Sequence, residues 1–267
     1  MNAMRRLLPA ALAGLAISGA AWADEAALMP DEIKQAVRVE SITIPTPGEF
    51  FVAIDKAGRP QWSQLVRTGV PTTSSRAQIA LILGTLVADG YIAVEAEDGQ
   101  SVKNIGKDII NLAKKLNVSQ SVLGRGNSIN DFATNSNWSA LREELEATQN
   151  EVKLDMVDQK DSDLVTLVTL GAWLRGTEIA SEIVDKDYSA DSARLLRQPA
   201  IIDYLLDEVG TLGPALQKDP LVVSIRDALA RVRADVTTQV PSAQNIKDMH
   251  QIISSVVTAI RKNSSDS

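Results

Sequence analysis

Of the residue types that carry most enzyme chemistry, this chain holds a single histidine, His250, and no cysteine. A thiol nucleophile, a thiolate zinc site and the paired Glu-x-x-His ligands of a di-iron bundle are therefore beyond it. Ser-His-Asp chemistry would have to pass through His250. That residue sits between Met249 and Gln251 in an amphipathic stretch, and no G-x-S-x-G elbow occurs anywhere in the chain. Carboxylates remain, 34 of them, and a glycoside hydrolase needs only two at a suitable separation. The few aromatic residues, 4% of the chain, stand mostly at spacings that fill a core, which argues against a sugar-binding platform.

Two short motifs fall short of a site. Asp158, Asp161 and Asp163 hint at calcium but lack the central glycine and closing glutamate of a calcium loop, so they are expected to cap and pair with the next helix. Gly124-Arg125-Gly126-Asn127 has the Gly-x-Gly of a dinucleotide turn without a strand before it or the final glycine. It reads as part of a polar connector, 119–137. No metal and no cofactor is expected.

The residues that call for an explanation are Asp89 and Arg175. Each is a lone charge closing an apolar run, Ile79 to Ala88 in one case and Leu164 to Leu174 in the other. A charge buried alone is expensive, so the two are expected to meet as a hydrogen-bonded ion pair. With Trp173, Tyr91 and Glu178 they form the candidate ligand-binding set, able to floor a polar pocket for a small ligand.

Two helices must position this set. Residues 76–97 and 163–186 are apolar on every side, as in helices enclosed by protein, and each run is too short to span a bilayer before its charge intervenes. Leu83-Gly84 and Leu170-Gly171 match at an offset of 87 positions, the trace of a possible internal duplication. Gly84 and Gly90 cost about 1 kcal/mol each in a helix interior, which predicts a close partner helix at both.

Around this pair the spacing predicts helices over 48–57, 60–68, 101–117, 137–159, 188–197, 201–209, 220–236 and 242–262. Pro199 is read as the stop of one helix and Gly210 as the stop of the next. No stretch reads as a hairpin. The expected class is all-α, a multi-helix bundle around two buried helices without significant β-sheet. A single helical domain, 48–262, is expected, with two degenerate halves (48–136 and 137–262) as an option, after a lead and extended connector (24–47) and before a disordered tail (263–267).

Residues 1–23 have the pattern of a secretory signal peptide: Arg5 and Arg6, an apolar run to Ala21, and an Ala21-Trp22-Ala23 cleavage site before Asp24. Cleavage leaves 25 lysines and arginines against 34 acids, a formal charge of −9. Such a field repels phosphate backbones and anionic lipid, so neither nucleic acid nor a lasting membrane anchor is expected. The expectation is a periplasmic or secreted, non-catalytic binding or interaction module of a bacterial envelope, its partner a protein or a small ligand. The acidic faces of 137–159 and 220–236 would be the partner surface. A carboxylate-dependent hydrolase around Asp89 and Arg175 is the alternative.

Overall fold

The computed structural model describes residues 47–58, 60–118, 123–237 and 240–263. Residues 1–23, read as a signal peptide, most of the lead and connector over 24–47, and the tail beyond residue 263 lie outside them. Every regular element among the described residues is helical. In chain order these are α1 (Pro47–Gly58), α2 (Arg76–Glu95), α3 (Gly99–Lys115), α4 (Gly126–Thr134) and α5 (Trp138–Asp158). There follow α6 (Ser162–Lys186), α7 (Ala190–Leu195), α8 (Pro199–Thr211), α9 (Pro220–Asp235) and α10 (Ala243–Ile260).

Several helices start where short polar side chains hold their free N–H groups. Ser75 accepts from Gln78 N at 3.3 Å, Asp98 from Ser101 N at 3.0 Å and Asn137 from Ala140 N at 3.3 Å. The hydrogen bonds from Ser101 hold the Asp98 carboxyl below its ordinary range. Asp219 caps α9, whose first residue is Pro220.

At the centre α2 lies against α6. By length and composition α2 could cross a membrane, with a mean hydropathy of 1.7, but 94% of that apolar stretch is buried by the rest of the protein. It is a core helix. Around the pair, α10 covers α6, α3 covers α2, α4 bridges α3 and α5, and α9 lies between α8 and α10. The buried apolar side chains form one connected cluster running from Phe51 to Ile260.

Backbone meets backbone where α2 crosses α6. A Cβ on Gly84 would stand 2.1 Å from Val168 O and one on Gly171 would stand 2.1 Å from Leu81 O. The two glycines that match in sequence thus touch in space, and no larger residue fits at either. Gly90 differs from the expectation. A Cβ there would meet only Ile105 and Leu145 side chains at 3.8 and 3.9 Å, ordinary contact distances. Gly90→Ala should therefore stabilise the protein by about 0.4–1 kcal/mol, by reducing the freedom of the unfolded chain. A thermal melt of the variant checks this, and a lower melting temperature would mean that α2 is tighter at Gly90 than these distances allow.

Several boundaries depart from the expected pattern for physical reasons. Residues 60–68 form only a 3-10 turn, Trp62–Gln64. The carbonyls of Leu65, Thr68 and Gly69 accept from arginine side chains instead of helical N–H groups, and Gly69 turns the chain at φ +82°. The connector 119–137 contains α4, because Ile129 and Ala133, one turn apart, find burial in the core. Pro199 opens α8 and does not merely close the helix before it, while Gly210 is carried inside α8. Asp161 precedes α6 without a capping bond and pairs with Arg76 at 2.7 Å, and Asp163 accepts from Gly213 N at 3.2 Å.

Candidate functional site

The apolar faces of α2 and α6 leave few side chains able to satisfy a charge, so the charged residues the crossing encloses are drawn together. Arg175, 1% exposed, donates through Nε to Asp89 Oδ1 at 2.7 Å, the ion pair expected from the two lone charges. Its Nη1 donates to Glu178 Oε2 at 2.8 Å, one helical turn along α6, and its Nη2 to Leu65 O at 2.9 Å. Each of its three nitrogens has an acceptor. A buried guanidinium with this geometry offsets its own desolvation.

Two further arginines complete the cluster. Arg67 donates to the other Glu178 oxygen, Oε1, at 2.7 Å. Arg261, just beyond α10, donates to Gly69 O at 2.6 Å and brings Nη1 to 3.8 Å from Asp89 Oδ2. Gln78 holds the end of α10 in place by donating to Ile260 O at 2.9 Å and Lys262 O at 2.7 Å.

The acids of the cluster differ. Glu178 receives a guanidinium on each oxygen. Asp89 receives a hydrogen bond on one oxygen only, and among the described residues its Oδ2 has none. Burial therefore pushes the Asp89 carboxyl above its ordinary range, against the opposing attraction of Arg175 and, more weakly, Arg261 and Arg67.

The remaining expected site residues do not join the cluster in the same way. Trp173 is half-buried and its indole N–H donates to Gln198 Oε1 at 3.3 Å, at the junction of α7 and α8. Tyr91 is buried with its ring over Gly48 of α1, where an added Cβ would come within 2.8 Å of the ring.

His250 lies nearby and forms no relay. Its Nδ1 is 3.2 Å from Glu178 O and 3.4 Å from Ser181 Oγ. The carbonyl can only accept, so Nδ1 carries the proton and cannot act as a base toward Ser181. The Ser181 hydroxyl is directed to Thr177 O at 2.7 Å and Glu178 O at 3.0 Å, inside its own helix.

Arg67, Arg261 and the Leu65–Gly69 backbone were missed by sequence reasoning. Arg67 stands between Val66 and Thr68 and Arg261 between Ile260 and Lys262, and no local pattern separates either from a surface arginine. Arg125 was also misread: it pins α4 to α5 through Glu144 at 3.0 Å and through Glu151. That removes part of the acidic surface of α5 from any partner.

Elsewhere, a groove of 570 Å³ between α9 and α10 is lined by Arg231, Asp235, Asp248, Gln251 and Ser255. Partial burial, then the nearby Asp248 charge, raises the Asp235 carboxyl above its ordinary range. A second cleft, between α5 and the core pair, has 20 Å³ of free space beside Gln149, room for about one water. No group of three or more histidine, cysteine or acidic side chains among the described residues could hold a metal ion. Comparison with protein-family models, with curated proteins and with solved structures gives no match, so no family lends this chain a function.

Proposed function

We propose that this protein is an exported, non-catalytic binding module of a bacterial cell envelope. The export part rests on residues 1–23, with their basic start, apolar run and Ala-x-Ala site. The binding part rests on one observation: the two carboxylates a hydrolase would use, Asp89 and Glu178, are 0% and 1% exposed and already engaged by arginines. A general acid or base must reach its substrate within a hydrogen bond or one bridging water. Neither of these does so in this packing, and what faces solvent at the cluster is arginine.

Partner surfaces follow from what is left unpaired. On α9, Arg226 pairs with Asp227 and Arg233 with Asp203, and on α5 Glu144 and Glu151 pair with Arg125. The exposed Glu143 and Glu146 of α5 remain available to a basic partner.

Expression of the full chain in a bacterial host, followed by fractionation and intact-mass measurement, tests the export reading. The expected product is periplasmic and begins at Asp24. The purified product is then assayed on ester, peptide and glycoside substrates beside Asp89→Asn and Glu178→Gln. No turnover above buffer is expected. Turnover that either substitution abolishes, in a variant that still melts cooperatively, would replace the binding reading with the hydrolase.

A further inference from the structure

Among the described residues the charge cluster does not balance. Three guanidiniums, Arg67, Arg175 and Arg261, surround two carboxylates, Asp89 and Glu178, leaving one formal positive charge in excess. Taking charge from water without a counter-charge is costly, so an excess of this kind favours a bound anion.

The excess has a defined place. Arg175 is sealed at 1% exposure with an acceptor on each nitrogen. Arg67 and Arg261, at 34% and 17% side-chain exposure, form the edge that meets solvent. Arg261 Nη2 rests on the Thr68 and Gly69 carbonyls, the residues that directly follow Arg67. Among the described residues, Nη2 is the one Arg67 donor that meets a carboxylate. Among the described residues neither Arg261 Nη1 nor Asp89 Oδ2 has a hydrogen-bond partner, although both are buried and 3.8 Å apart. Desolvation lowers the Arg261 guanidinium below its usual range, and of the surrounding charges Asp89 and, more weakly, Glu178 oppose this while Arg67 and Arg175 add to it.

We propose that Arg67 and Arg261 form the mouth of a binding site for one small organic carboxylate, with the Arg175–Asp89–Glu178 cluster as its rigid base. A monoanion cancels the excess. A phosphate dianion would overshoot it and repel Asp89, and a planar carboxylate matches the two-pronged guanidinium better than a halide does. The site rests on the binding-module reading and names the class of ligand for it.

Acetate is the probe, titrated into the full chain at fixed ionic strength with chloride as balancing salt and inorganic phosphate as the competing arm. Acetate is expected to bind saturably at one site per chain, at least tenfold tighter than phosphate, and to raise the melting temperature, while chloride does neither. Arg67→Gln should weaken acetate binding at least tenfold with a cooperative melt retained, because Arg175 still holds Glu178. Arg226→Gln, on the exposed side of α9, should change nothing. Should Arg67→Gln fail to fold, Arg67→Lys carries the test, since it keeps the charge, loses the fork and must still weaken acetate.

Chloride equal to acetate, phosphate as tight as acetate, or binding unaffected at Arg67 each overturns the proposal. Absent acetate binding together with absent turnover removes this site alone. Asp89-dependent turnover removes the binding-module reading and leaves the acetate result to stand by itself.

Discussion

Gly84→Ala is expected to destabilise the protein by at least about 3 kcal/mol and to lower its melting temperature by about 6–12 °C. The new methyl group would lie 2.1 Å from Val168 O and 2.7 Å from Ala172 N. Both atoms are backbone of a buried helix, so no side-chain rotation relieves the clash and the helices must separate. Separation loosens the Leu81, Leu83, Val168 and Leu170 side chains, all at or below 1% exposure. Gly171→Ala should behave alike, since its methyl would meet Leu81 O at 2.1 Å. The double variant should cost less than the sum, because one displacement of α6 admits both methyl groups. Differential scanning calorimetry of the three variants checks this, and a Gly84→Ala melt within 2 °C of the parent would contradict the crossing.

The second large effect is at Arg175. Arg175→Met removes the hydrogen bonds to Asp89, Glu178 and Leu65 together and is expected to cost about 3–5 kcal/mol, or about 6–20 °C. Asp89→Asn should cost far less. Its amide oxygen can still accept from Arg175 Nε, and the charge it removes is one that burial already disfavours. A carboxyl raised in the folded state above its ordinary 3.8 contributes stability that is complete below that value and lost as pH rises through the folded value. The parent should therefore lose stability relative to Asp89→Asn as pH rises from the acid range. The deficit of Arg175→Met should shrink toward acid pH, where the abandoned Asp89 takes up a proton. Urea melts of the three proteins between pH 3.5 and 7 measure both trends, and parallel curves for parent and Asp89→Asn would show that Asp89 is not perturbed.

The core was legible because its signals are local and dense. Twelve consecutive uncharged residues before Asp89 and eleven before Arg175 leave a helix no polar face, so both had to be enclosed. The cost of two lone charges then led to their pairing. Gly84 was readable as a close approach from its helix propensity alone, but the same reasoning failed at Gly90, because propensity records the penalty of a glycine and not what stands opposite it.

The rest of the site was not legible, for a different reason. Arg67 lies in a segment whose carbonyls are satisfied by side chains from more than 100 residues away, so no short-range periodicity describes it. Arg261 follows a helix C-terminus, where a basic residue ordinarily needs no explanation beyond the helix dipole. Trp173 and Tyr91 were grouped with the pair by sequence proximity. Helical geometry carries neighbouring side chains to different sides, and of these three Glu178, one turn along α6, is the one bonded to Arg175 among the described residues.

The bonds between Gln78 and the end of α10, between Arg261 and the Thr68–Gly69 turn, and between Thr72 N and Asn263 have an effect on the order of folding. They join residues separated by 182 to 193 positions, so one end of the core is completed only when residues 260–263 reach it. Loop closure over such spans is slow, and non-local contacts of this kind delay the commitment to fold. A nascent chain that has not yet released residue 261 holds α2 and α6 without the strap that covers their charges. Under the export proposal, that delay keeps the chain open for threading across a membrane, and the arrival of residues 260–263 begins its folded life on the far side.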